Sequence, residues 1–410
     1  MTSDHSAPSL RLAYIFETAV AAGSLSETAS RVGISQPAVT QSLTRLERLV
    51  GAALLHRGSH GCQPTALGEI LAGRVGRMFG FFEQALAQPH VGSPFAEPER
   101  IPFLARSITE AQIIALSAIH RQGAIERAAL SLGYSTPSVH RAVRGLEVML
   151  RRPLLAKSAF GMVTTRAGAE LARMLQLGLK ERDDGLDELA LAQGIHAARL
   201  AIGVLPMACM PVLAEALSAV SAQYPGSQVS VSEGVYQDLE TSLRSGQIDL
   251  IYGVLRPESR MPDIEGVPLF LDPHVLVANS RHKLLRRDQT TVEDLAECQW
   301  IAPPITSPRR HQIEAILSRA GASPRIAVET NSLVTLKALL VCSDFVTLLP
   351  RYEAEQEVAT GSLAILAFAD GLERQHTGLA MRRDWKPTPI QQSFMNGARC
   401  SADARFGVAQ

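Results

Sequence analysis

Residues 23–68 read GSLSETASRVGISQPAVTQSLTRLERLVGAALLHRGSHGCQPTALG. Ser24 or Ser26 can cap a helix that carries Ala29 and Val32 and stops at Gly33. A serine hydroxyl satisfies the first free amides of a helix, and glycine tolerates the left-handed turn just past its end. Ser35 then caps a further helix with Pro37 near its start, where the missing N–H costs nothing. Val39, Leu43 and Leu46 fall on one face of it, which leaves Gln36, Thr40, Gln41, Thr44 and Arg45 largely on the other. Upstream, Leu12, Ile15, Phe16 and Ala19 keep helical spacing up to Gly23. A helix, a glycine turn and a helix whose free face carries amides, hydroxyls and a guanidinium suit the major groove, because Gln and Arg can pair bidentately with base edges.

The same stretch occurs twice. Gly23, Ala29, Gly33, Ser35, Pro37, Val39, Leu46, Glu47, Leu54, Leu55, Thr65 and Gly68 recur one hundred positions later as Gly123, Ala129, Gly133, Ser135, Pro137, Val139, Leu146, Glu147, Leu154, Leu155, Thr165 and Gly168. An ungapped offset that matches turn-forming and core residues together implies one backbone used twice. The second copy, about 108–170, differs at the reading surface. Thr136 replaces Gln36, Phe160 falls in its hairpin, and Gly145 weakens its second reading helix by roughly 1 kcal/mol relative to alanine.

The run Gly23-Ser24-Leu25-Ser26, Ala29, Ser35-Gln36-Pro37-Ala38-Val39-Thr40, Leu46-Glu47, Gly51, Leu54-Leu55, Arg57, Thr65 and Gly68 resembles the winged helix-turn-helix of LysR-type transcription regulators. That resemblance implies a recognition helix from about Ser35 to Leu49 and a wing from Leu54 to Thr65. It makes Gln36, Pro37, Ala38, Thr40, Gln41 and Arg45 the candidate DNA contacts, with Arg57 on a phosphate. In the second copy the corresponding candidates are Thr136, Ser138, His140, Arg141, Arg144 and Lys157, with backbone contacts prevailing over base contacts.

Composition agrees with a folded chain of more than one domain. The sequence has 410 residues, 46% hydrophobic and 20% charged. Lys+Arg and Asp+Glu balance at 40 each, but residues 105–175 hold ten basic and four acidic side chains and residues 10–80 seven and four. The basic excess is therefore at the front. No run of about 18 apolar residues and no basic-then-apolar leader occurs, so a cytoplasmic protein is expected. The five cysteines are scattered singly, without metal-ligand spacing, and neither a metal nor a cofactor is expected.

The expected domains are 8–88 for the first copy, 89–104 for a linker, 105–170 for the second copy, 171–196 for a connecting helix, and 197–400 for an effector domain. Four prolines and a glycine between Gln88 and Pro102 (Pro89, Gly92, Pro94, Pro98, Pro102) predict a stiff, non-helical linker and semi-independent copies. Leu171, Met174, Leu175, Leu179, Leu186 and Leu189 predict a helix, although Gly178 and Gly185 weaken it. By the resemblance, this helix pairs with its counterpart on a second subunit, giving a homodimer or homotetramer.

From Arg199 onward short apolar runs alternate with helical segments, which predicts parallel sheets with right-handed crossovers. This half is also similar to the LysR effector domain, at Ile202-Gly203, Tyr224-Pro225, Gly234, Gly246, Asp249, Ser280-Arg281-His282-Lys283-Leu284, Asn331-Ser332 and Thr347-Leu348-Leu349-Pro350 among others. The resemblance implies a periplasmic-binding-protein-like α/β fold of two subdomains, 198–272 with a return at 351–400, and 273–350. Carried over by position, the effector candidates are Met207, Val235, Arg256, Ser307, Asn331 and Ser332; Arg256 and the Ser and Asn side chains suit a small carboxylate, while Met207 and Val235 stand where the family carries Ser or Thr.

No catalytic motif occurs in its proper context, so no enzyme is expected. Cys209, near the cleft, is the one candidate for a thiol sensor. The reading that follows is a DNA-binding regulator of LysR type controlled by a small molecule, with RNA polymerase among its candidate partners. Its competitor is a small-molecule-binding protein whose front half serves protein interaction.

Overall fold

The computed structural model describes the chain apart from residues 1–6, 59–60, 92–97, 160, 257–261, 369–371, 373 and 408–410. Phe160 thus lies outside the described residues. One unit comprises residues 1–199 with 224–228 and 244–247, and the remainder forms the other.

The first unit is built twice from the same instructions. Copy one has α1 (Leu10–Ala22), α2 (Leu25–Val32), α3 (Gln36–Val50), the hairpin β1 (Leu55–Gly58) and β2 (Gly61–Pro64), and α4 (Ala66–Ala87). Ser24, Ser35 and Thr65 cap α2, α3 and α4, and Gly23, Gly33 and Gly51 close the three short helices in the left-handed conformation. After α5 (Ile101–Ser107), copy two repeats the order with α6 (Glu110–Gln122), α7 (Ile125–Leu132), α8 (Thr136–Leu150), β3 (Leu155–Ser158), β4 (Gly161–Thr164) and α9 (Arg166–Ala192).

The repeated residues make repeated bonds. Glu47 Oε1 accepts from the amides of Leu54 and Leu55 at 3.0 and 3.2 Å, and Glu147 Oε1 from those of Leu154 and Leu155 at 2.8 and 3.1 Å. Each carboxylate thereby fixes the start of its hairpin. Gly68 and Gly168 pass so close to the carbonyls of Leu54 and Leu154 that a Cβ would stand 2.0 and 2.2 Å from the oxygen. No other residue fits there.

Two expectations about the connection fail. The linker is helical at α5, whose Arg106 pairs with Glu17 at 2.9 Å and Glu83 at 2.5 Å and lies over the ring of Phe79 at 4.9 Å. Proline at the first turn of a helix is harmless, so Pro102 does not prevent it. The copies are not semi-independent either, since one apolar core runs through Phe16, Leu46, Phe79 and Phe82 of the first and Leu116, Leu146, Leu171 and Leu175 of the second.

The connecting helix is the cause. α9 lies antiparallel on α4 of the same chain. Gln88 meets Glu170 at 3.3 Å at one end, and Arg74 meets Glu188 at the other. Gly178 allows the close approach, because a Cβ there would sit 2.4 Å from the Phe82 ring. Arg74, fully buried, is held by Glu181 at 2.7 Å as well as by Glu188.

The second unit holds two five-stranded sheets. The first has the order β6 (Gln228–Glu233), β5 (Arg199–Val204), β7 (Leu250–Val254), β14 (His376–Arg382), β8 (Ile264–Leu271). The second has the order β11 (Arg325–Glu329), β10 (Gln299–Ala302), β12 (Val346–Pro350), β9 (His274–Asn279), β13 (Leu363–Ile365). Their helices are α10 (Met210–Gln223), α11 (Tyr236–Arg244), α12 (Val292–Ala296), α13 (Pro308–Ser318), α14 (Leu333–Cys342), α15 (Arg351–Ala359) and α16 (Pro389–Phe406).

Both sheets are mixed, which corrects the parallel expectation. β5 and β7 run parallel, as do β10 with its neighbours β11 and β12. β14 is antiparallel to β7 and β8, and β9 to β12 and β13. The chain crosses between sheets, and a crossing strand enters from the opposite direction. The return also comes later than residue 351, because β13 still pairs with β9 and only β14 rejoins the first sheet.

Candidate functional site

α3 presents Gln36, Pro37, Gln41 and Arg45 to solvent, with Ala38 and Thr40 half-buried, while Val39, Leu43 and Leu46 are in the core. Thr40 Oγ1 donates to the Gln36 carbonyl at 3.1 Å. Arg57, on β1, donates to Glu47 at 2.5 Å and Thr44 at 3.2 Å, so its guanidinium is steered onto the flank of α3. Of the candidates in copy two, Ser138, His140, Arg141 and Arg144 on α8 and Lys157 on β3 are exposed, and Thr136 is half-buried. Arg144 pairs with Glu147 at 3.0 Å. Burial pushes the Glu147 carboxyl up, but the two amides and Arg144 together hold it below the usual carboxylate range.

The second unit encloses a cavity of about 200 Å³. Met207 after β5, Val235 and Tyr236 at the start of α11, and Arg256 after β7 line it from the first sheet. Ser307 and Arg309 at the start of α13, Asn331 before α14, and His274 of β9 line it from the second. Strand ends and helix starts therefore converge on it, where backbone amides favour an anion. Arg256 stacks on the Tyr236 ring at 4.1 Å.

Five of the six expected effector residues, Met207, Val235, Arg256, Ser307 and Asn331, line this cavity. Ser332 does not. Its hydroxyl caps α14, accepting from the Thr335 amide at 3.2 Å. The side chain that sequence reasoning missed is Arg309. It is 8% exposed, contacts Met207 Sδ and donates to the Leu348 carbonyl at 3.3 Å, and has no carboxylate partner among the described residues. Burial pushes its pKa down to about 10, which still leaves it charged at neutral pH.

Its neighbour His274 is held neutral. Burial and the Arg309 charge push the imidazole down to about 4, and Nδ1 donates to Gln312 Oε1 at 2.7 Å. A signal for Arg309 was present in Pro308-Arg309-Arg310, two cations in the first turn of a helix, where the dipole disfavours them. Arg310 is paired with Glu314 at 2.8 Å, and Arg309 is not. Cys209 is buried, and its thiol is pushed up to about 11 by desolvation, which makes it a poor thiolate source and removes the case for a sensor.

The comparisons with known proteins agree in both units. The model of the LysR substrate binding domain matches residues 193–401. That of the bacterial regulatory helix-turn-helix protein, lysR family, matches residues 10–69 and 111–169. The chain belongs to the LysR family. It is a DNA-binding transcription regulator with an effector-binding domain, and not an enzyme. This membership selects the regulator over the interaction-module reading.

Among relatives, the LysR-family chain is 26% identical to the HTH-type transcriptional regulator GalR of Pseudomonas putida over 389 residues, 95% of this chain and 96% of that protein. It is 27% identical to the regulator PcaQ of Agrobacterium fabrum over 290 residues, 70% of this chain and 93% of that one. The crystal structure of ArgP from Mycobacterium tuberculosis has a TM-score of 0.56 at 18% identity, covering 73% of this chain and 98% of that chain. The last likeness concerns the fold alone. No helix among the described residues is long and apolar enough to cross a membrane.

Proposed function

We propose that this regulator senses a small organic acid, whose carboxylate is bound by Arg309 and whose apolar part lies against Leu205, Pro206, Val235, Val254 and Pro303. The observation that carries the reading is a buried arginine with no counter-ion among the described residues, facing a cavity at a helix start. A buried cation is costly unless paired, so the site favours an incoming anion. Ser307 makes no capping bond to α13, which leaves its hydroxyl to the ligand, and Asn331 and Arg256 complete the polar set. About 200 Å³ is smaller than the roughly 300–1,000 Å³ typical of drug-sized sites, which favours a small acid.

The protein acts in the cytoplasm as a homo-oligomer on promoter DNA, with RNA polymerase as a further candidate partner. The experiment is a melting screen of the full chain against small monocarboxylates and their amides. A ligand at about one hundred times its dissociation constant stabilises the fold by about 2.7 kcal/mol. The acid should shift the wild type and the amide should not, while Arg309→Gln should respond to neither. An acid that shifts Arg309→Gln as much as wild type removes Arg309 from the site.

A further inference from the structure

We infer that a single chain carries a complete two-headed DNA reader, in which copies one and two hold two unlike recognition helices about a pseudo-two-fold axis and read an operator of two unlike half-sites. The seam between α4 and α9 carries this. Its crossing point joins Met78 to Gly178, which are one hundred residues apart and so occupy the same position of the repeat. Each end of the seam also bonds to the other copy. The end of α9 reaches back to copy one, where Gln193 Nε2 donates to the Val50 carbonyl at 3.3 Å. Two residues past the end of α4, the Pro89 carbonyl accepts from Arg152 of copy two at 2.9 Å. Two like bodies whose matching helices cross antiparallel at matching positions are related by a two-fold, as in an isologous dimer.

The side chains at the seam have diverged so that only unlike helices fit. α4 supplies the cations Arg74 and Arg77 and the ring of Phe82. α9 supplies the anions Glu181 and Glu188 and the gap at Gly178. In the same register, pairing α4 with a second α4 would set Arg74 against Phe81 and Gln88 and Phe82 against Met78, and pairing α9 with a second α9 would set Glu181 and Glu188 against Met174 and Leu177, so each charge would lose its partner. Such asymmetry disfavours self-pairing. α5 keeps the pairing within one chain, since Arg106 pins it to Glu17 and Glu83 of copy one.

The reading faces differ position by position. Gln36, Thr40, Gln41, Thr44 and Arg45 correspond to Thr136, His140, Arg141, Arg144 and Gly145. The first face offers amides that match adenine and one guanidinium, and the second offers guanidinia that match guanine or phosphate. A palindrome cannot satisfy both.

The test begins with full-length protein selecting its shortest tight duplex from a random pool. Three proteins are then measured on it: wild type, Gln36→Ala with Arg45→Ala, and Arg141→Ala with Arg144→Ala. All four positions are exposed, so folding, checked by circular dichroism, should be unaffected. Silencing either head should cost about 10²–10⁴-fold in affinity, because the two heads act as linked modules. Mixing the two variants should restore nothing, and the selected halves should differ in sequence.

If the heads came from different chains, mixing would generate units with both heads intact and restore binding, which overturns the inference. Full binding by the Arg141/Arg144 variant, or selection of a palindrome, overturns it too, by showing the second copy not to read. A wild type that selects no duplex would contradict DNA reading altogether, an outcome distinct from these.

Discussion

Arg74 in the first unit and Arg309 in the second are both buried arginines, and their surroundings differ in one respect. Arg74 is enclosed by Glu181 and Glu188, and the three side chains join two helices that sequence had placed far apart. Arg309 is enclosed by Met207, the Leu348 carbonyl and the cavity, with no acid beside it among the described residues. A buried charge that the protein neutralises itself belongs to the fold, and one left to be neutralised from outside marks a binding site.

The comparison predicts opposite responses to removing each charge. Arg74→Met strands Glu188 and takes from Glu181 one of the two arginines paired with it, and should cost about 3–5 kcal/mol, read as a lower denaturation midpoint for the first unit. Arg309→Met should leave the ligand-free second unit as stable as wild type or more so. A severe loss for Arg309→Met would mean that the protein does satisfy this charge internally, and the contrast would fail.

Asp272 extends the contrast to an acid. Burial pushes its carboxyl up to about 6, and its described neighbours are backbone amides such as that of Tyr352, at 3.2 Å, rather than a cation. Because the folded pKa lies above the ordinary 3.8, the folded state binds the proton more tightly. The stability this proton gives is fully present below about pH 4 and is lost as pH rises through about 6. Asp272→Asn should therefore flatten the fall between pH 4 and 6, by on the order of 3 kcal/mol, in melting curves compared with wild type. Parallel curves would show that Asp272 is as solvated folded as unfolded.

The smallest effect tests the shape of the seam rather than its charge. Gly178→Ala adds one methyl group where the Phe82 ring stands and should cost about 1–3 kcal/mol, the range for overpacking, with Arg74 still paired. Gly73→Ala, on the same seam helix α4 but with open space at its Cβ, should be neutral or slightly stabilising. Equal effects of the two substitutions would mean that α4 and α9 do not approach closely.

The helix-turn-helix copies were legible because their signals are local. Ser24, Ser35 and Thr65 cap the helix that follows each of them, and Gly33 and Gly51 end the helix that precedes them, so a one-dimensional pattern suffices. The seam was not legible. Gly178 reads as a weak point in α9 until Phe82, far away in sequence, is placed over it. Sheet direction was hidden for the same reason, since β13 and β14 run antiparallel to strands β9 and β7 that lie about a hundred residues away in sequence. In the cleft, positions after strands were found by family spacing, whereas Ser332 and Arg309 were exchanged in importance. A serine before a helix fits both a cap and a ligand contact, and only the Thr335 amide decides between them.

The account depends most on Arg309 as the anchor of an acid. Calorimetric titration of the best carboxylate from the melting screen into wild type and Arg309→Gln compares the two proteins at equilibrium. A charge-assisted hydrogen bond from a buried guanidinium is worth about 1.5–3 kcal/mol, so affinity should fall about 10–100-fold in the variant. Equal affinity for wild type and Arg309→Gln, or equal affinity of wild type for the acid and its amide, would contradict the account.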